Sequence, residues 1–263
     1  MSQLFIQQLM LSVVVAGVWI TLATVLSEKL GSRLGGMIGN LPSTIFTSLL
    51  FIGITQSPDF AAEATVSVPL GMFLSTMFLF LFISLVHKGI LFAVVVGLSA
   101  WVLLALVFSF FQDASMVSWL VLYVLGAVFT YFLAEKVQNI PSQQKVVRNY
   151  SSRQLVFRAL FAGSVVGCSV LIAHAGSTFW AGIMASFPAM MLSSMVILSL
   201  SAGQAFAKAT GKIMLLASTN IVLYSLVAGL LFPLVGIWMG TLAAYAASVT
   251  WVWFLKPVFD RGR

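Results

Sequence analysis

Apolar residues run along this chain in long blocks that show no polar face, and polar residues gather in short segments between them. The blocks approach or exceed the about 20 residues an α-helix needs to cross roughly 30 Å of hydrocarbon. The pattern predicts nine spans, at 4–26, 34–56, 64–86, 90–111, 115–134, 155–174, 179–201, 206–231 and 234–255. The expected fold class is an all-α integral membrane protein, a single membrane domain over 1–263 with no soluble domain. The longest segment outside the spans, Glu135 to Arg153, reads as a polar linker around Pro141-Ser142-Gln143-Gln144. Met1 to Met10 carries no Lys or Arg. It therefore lacks the basic start of a cleavable signal, and the first apolar run reads as a retained helix.

Composition agrees with lipid as the solvent. Hydrophobic residues make up 61% of the chain and charged residues 7%, against about 25% charged in a soluble domain. The net charge of +7 would point to nucleic acid in a soluble protein. Here its placement gives a simpler cause, the excess of Lys and Arg on the cytoplasmic side of membrane proteins. With the N-terminus outside, the inner segments hold Lys29, Arg33, Lys88, Lys136, Lys145, Arg148, Arg153, Arg158, Lys208, Lys212, Lys256, Arg261 and Arg263, which is every basic residue. The outer segments hold Asp59, Glu63 and Asp113. The expected topology is N-out and C-in, in a cell inner membrane. No nucleic-acid partner is expected.

The two ends of the chain resemble each other. At a shift of 146, Gly36 falls on Gly182, Gly39 on Ala185, Asn40 on Ser186, Pro42 on Pro188 and Ser48 on Ser194. At a shift of 145, Glu63-Ala64-Thr65 falls on Lys208-Ala209-Thr210, and the fourth span falls on the ninth. Two repeats of four helices follow, over 4–111 and 155–256, joined by a linking helix at 115–134. Four is an even number, so the single linking helix turns the second repeat upside down. That is the inverted-repeat plan of many secondary transporters.

Trp180-Ala181-Gly182-Ile183-Met184-Ala185-Ser186-Phe187-Pro188-Ala189, the turn Ala205-Phe206-Ala207-Lys208-Ala209-Thr210 and the final Trp251-Val252-Trp253-Phe254-Leu255-Lys256 resemble the GlpM-like small inner-membrane proteins. The resemblance covers 155–256 well and 4–111 weakly; Asn40 and Glu63 depart from the pattern. It implies a duplicated and fused version of a small four-span unit. It carries over no catalytic residue.

Candidate chemistry is sparse. His87 and His174 are the only histidines, and the topology puts them at opposite faces of the membrane. Cys168 is the single cysteine and reads as a small buried hydrophobe. No paired carboxylates, Walker loop or dinucleotide fingerprint occurs, so neither an enzyme, a cofactor nor a metal is expected. The distinctive feature is the pair Pro42 and Pro188, each near the middle of a span. A mid-helix proline removes an N–H and clashes with the carbonyl four residues back, here Ile38 and Met184. Such a break is tolerable where it faces protein or a water-filled cavity.

Each break starts a half-helix whose N–H groups point at the bilayer centre, an arrangement that favours anions. The candidate substrate-binding residues are Gly39, Asn40, Pro42, Ser43, Thr44, Ser186, Pro188, Ser193 and Ser194, with Asn220 as a secondary candidate. The plainer reading is that the prolines are kinks and the glycines before them aid helix packing. Ser75-Thr76, Ser218, Thr219 and Asn220 read first as interhelical glue. Glu63, Lys208 and Lys212 read as solvated helix ends, and Trp119, Trp180, Trp251 and Trp253 as interface anchors.

Three functions compete. The first is a secondary transporter or facilitator for a small polar or anionic solute, working by alternating access at a midplane site. The second is a translocase for lipids or lipid-linked precursors. The third is a membrane assembly subunit that transports nothing. The partners expected are the bilayer and a small-molecule or lipid substrate. Substrate identity, coupling ion, direction and oligomeric state are not written in the sequence.

Overall fold

The structure, a computed structural model, describes residues 2–29, 41–137 and 151–261. Its elements are α1 (Gln3–Lys29), α2 (Ser43–Thr55), α3 (Pro58–Thr65), α4 (Val68–Leu85), α5 (Ile90–Phe108), α6 (Met116–Phe132), α7 (Ser152–His174), α8 (Thr178–Ala185), α9 (Ala189–Ser201), α10 (Gln204–Ala217) and α11 (Thr219–Arg261). Short turns at Val86–Lys88 and Ser109–Phe111 follow α4 and α5, and a wider π-type turn, Leu133–Val137, follows α6. No strand occurs among the described residues. In hydrocarbon a helix satisfies its own backbone hydrogen bonds, which makes it one of the few admissible spanning forms.

Seven stretches among the described residues are long and apolar enough to cross a bilayer. The chain is an all-α, multi-pass membrane protein. Seven differs from the nine expected spans at two places. Ser43–Thr55 has only 13 residues, and 34–40, the start of the expected second span, lies outside the described residues. The stretch Gln204–Leu255 counts once but has 52 residues, about 78 Å of helix at 1.5 Å per residue. It turns at Gly236, whose φ of 79° is not helical. A positive φ is readily open only to glycine, and Gly89, at φ 129°, makes the corresponding turn ahead of α5.

Many large apolar side chains are exposed, as a lipid-facing surface requires. On α5 the buried positions are Ala93, Gly97, Trp101 and Ala105, one narrow stripe at intervals of four. On α6 they are Trp119, Tyr123, Gly126 and Thr130. Leu91, Leu103 and Leu125 point outward. Small residues let helices approach closely, which drives packing where lipid is as apolar as the side chains. A methyl group at Gly163 of α7 would meet the Val13 carbonyl oxygen of α1 at 2.8 Å, and one at Gly167 the Val13 side chain at 2.8 Å.

Several sequence readings change. Cys168 is exposed on α7 rather than buried. Trp119 is buried, with its ring 5.8 Å from that of Phe108, so it packs the interior instead of anchoring an interface. Trp251 donates from Nε1 to Thr219 Oγ1 at 2.9 Å, a contact that also engages Thr219 as expected of glue. Lys212 is not a solvated helix end. It is buried in α10, and its Nζ lies 2.8 Å from Glu135 Oε2 at the end of the α6 segment. Arg158, expected in an inner segment, lies six residues past the start of α7 and is 5% exposed.

Candidate functional site

Pro42 and Pro188 each stand immediately before a 13-residue helix, α2 and α9. Their backbone angles agree closely: φ −76° and ψ 54° at Pro42, φ −76° and ψ 43° at Pro188. The same tight turn forms at both. The Ser43 N–H donates to the Leu41 carbonyl at 2.7 Å, and the Ala189 N–H to the Phe187 carbonyl at 2.7 Å. No side chain caps either helix. The first turn of a helix has N–H groups without intrahelical partners, so both helices start with donors available.

The carbonyl expected to be stranded by Pro188 is in fact used. Met184 accepts the Phe187 N–H at 3.0 Å, in a last turn of α8 tightened just before the break. The Ser186 carbonyl accepts the Ser75 hydroxyl of α4 at 2.9 Å. Ser67 Oγ donates to the Phe179 carbonyl at 2.8 Å, a second tie between the α3–α4 junction and α8. The Phe187 ring is set by Trp101, edge-on at 5.1 Å, and by Phe161 at 6.1 Å. Ile38, the carbonyl expected to be affected by Pro42, lies outside the described residues.

The two breaks line one cavity of about 50 Å³, room for a few waters at ~10–15 Å³ each. Of the expected site residues, Pro42, Ser43, Thr44, Ser186 and Pro188 line it. Gly39 and Asn40 lie outside the described residues. Ser193 and Ser194 follow on α9 without reaching the cavity; Ser193 turns its hydroxyl back to the Met190 carbonyl at 3.2 Å. Asn220 is fully buried in α11, where its backbone carbonyl accepts Ser248 Oγ at 3.2 Å. It does not line the cavity, whereas its neighbour Ile221 does.

Sequence reasoning missed other lining residues, among them Met72 of α4 and Met191 of α9, which nothing in residue type marked, and it read Ser75 of α4, also in the lining, as glue. Behind the wall lies Arg158, whose Nη2 is 3.5 Å from the sulfur of Met190, itself a lining residue. An arginine inside an apolar run is a recognised pointer to function, so that signal was present in the sequence. None of the lining residues is charged.

Comparison with known proteins gives a family match over part of the chain and no activity. No curated protein and no solved structure matches the chain. Residues 9–114, which run from within α1 to just past α5, match the model of a conserved family described as a protein of unknown function (DUF3147).

Proposed function

We propose that the protein is a secondary transporter or facilitator that moves a small polar solute through the cavity between the Pro42 and Pro188 breaks. On this reading the chain is a duplicated GlpM-like unit. It has nine spans in an inner membrane, N-out and C-in, with inverted repeats over 4–111 and 155–256. The observation that carries it is the matched pair of proline-capped 13-residue helices lining one cavity. Broken helices at corresponding places in two halves are the best pointer to a transport site. Three contacts support the topology. Phe5 stacks on His174 at 3.7 Å and Gln56 lies 3.5 Å from His174, and all three belong to the proposed outer side. Lys212 and Glu135 both belong to the inner side.

A lipid translocase is the second reading, and the methionine-rich lining, Met72, Met190 and Met191, favours it, because flexible thioethers suit apolar chains. Uptake into proteoliposomes separates the two. Water-soluble solutes should enter, and Pro188→Ala should slow them about tenfold, the effect of a ~1.4 kcal/mol perturbation, while Pro141→Ala in the linker leaves the rate unchanged. Equal effects of the two substitutions would sink the central site. Scrambling of labelled lipid without solute uptake would favour the translocase.

A further inference from the structure

Helix α8 lies along the elbow between α3 and α4, and the seam between them leads away from the cavity. At the cavity end Ser75 Oγ donates to the Ser186 carbonyl at 2.9 Å, and both residues line the cavity. Further along, Ser67 Oγ donates to the Phe179 carbonyl at 2.8 Å. Phe179 stands in the first turn of α8, and Ser67 is the N-cap of α4. We infer that this seam is the gate that closes the cavity toward the proposed outer face, with the Ser67 and Ser75 hydroxyls as its latches. The inference rests on the transport reading and deepens it.

Three observations carry it. The first is close approach through small residues. A methyl group at Gly71 of α4 would run into the Ser186 side chain, and one at Gly182 of α8 into the Ala64 carbonyl and the Ser67 hydroxyl. Such contacts bring helices tightly together, and at these points no large side chain interlocks to resist separation.

The second is that the latches release at low cost. Ser67 Oγ also lies 3.3 Å from the Ala64 carbonyl of the neighbouring turn, so a hydroxyl that loses Phe179 keeps a partner. Ser75 has the usual alternative for a helical serine, the carbonyl four residues back, the bond that Thr47 and Thr130 make elsewhere in the chain. The third is the joint. Helix α8 ends directly before the Phe187-Pro188 break, and a few residues at the end of an element suffice to absorb the backbone change of a hinge.

The second half places polar residues at the corresponding positions. At the shift of 145, Ser67 and Ser75 fall on Lys212 and Asn220, both also buried. The inverted repeat puts that pair on the inner side, where Lys212 is held by Glu135. Hydroxyls latch the outer gate, and the inner counterpart uses a charge and an amide.

The test is labelling of Thr44→Cys, in a Cys168→Ala background, by a membrane-impermeant thiol reagent applied to one face of oriented vesicles at a time. Ser67→Ala and Ser75→Ala should each speed labelling from the outer face about threefold, and the double variant about sevenfold, from the ~0.6 kcal/mol that an interhelical hydrogen bond averages in membranes. Labelling from the inner face should not rise. Ser109→Ala, whose hydroxyl bonds the Leu106 carbonyl one turn back, should change neither rate. Each single variant keeps the idea testable if the double variant does not assemble. Outer labelling that stays at the parent rate in every serine variant, or labelling that rises equally from both faces, would overturn the gate and leave the transporter reading intact. Absence of labelling from both faces in every variant would overturn both readings.

Discussion

Lys212 Nζ lies 2.8 Å from Glu135 Oε2, joining α10 to the end of the segment that begins with α6. The lysine is nearly enclosed, while the Glu135 side chain is 41% exposed. Removing one partner of a fully buried pair costs roughly 3–5 kcal/mol, and partial exposure of the carboxylate screens the interaction. Glu135→Gln should therefore destabilise by about 1–3 kcal/mol, read as a lower Tm in detergent. The double change Glu135→Gln with Lys212→Met should recover part of that loss.

Gly182 of α8 has no room for a side chain. A methyl group there would run into the carbonyl oxygen of Ala64 and the hydroxyl of Ser67. The carbonyl belongs to backbone and cannot turn aside. Gly182→Ala should cost roughly 1–3 kcal/mol or more, the range for overpacking, with Tm in detergent as the readout. It should also lower transport, because α8 leads directly into the Pro188 break.

Tyr123 of α6 meets Ser218, between α10 and α11, through hydroxyls 2.8 Å apart. Interhelical hydrogen bonds in membranes average about 0.6 kcal/mol. Tyr123→Phe should accordingly destabilise by about that amount, less than Glu135→Gln, by the same measurement. A loss above ~2 kcal/mol would mean that the contact carries more than glue.

The sequence made the class and the two breaks readable for physical reasons. Uncharged runs of this length have no other solvent than lipid, and a proline past the first turn removes an N–H and can break the helix there. Pro42 and Pro188 therefore stood out, and the cavity is built around them. A third proline carried the same information. Pro69 stands in the first turn of α4 and marks the interruption between α3 and α4. The turn at Ser218 has no such mark. Burial of Arg158 and Lys212 was hidden for a different reason. Cationic side chains near span ends commonly extend to the interface, and only tertiary packing decides whether they turn inward. Trp119 misled in the same way, since tryptophan suits both an interface and a core.

The central claim is that water and solute reach the cavity at the paired proline breaks. Thr44→Cys and Ser186→Cys, each in a Cys168→Ala background, measure this directly with a membrane-impermeant thiol reagent applied to either face of oriented vesicles. Alternating access predicts modification of both positions from each aqueous side. Labelling only by lipid-soluble reagents, or from neither side, would contradict the account.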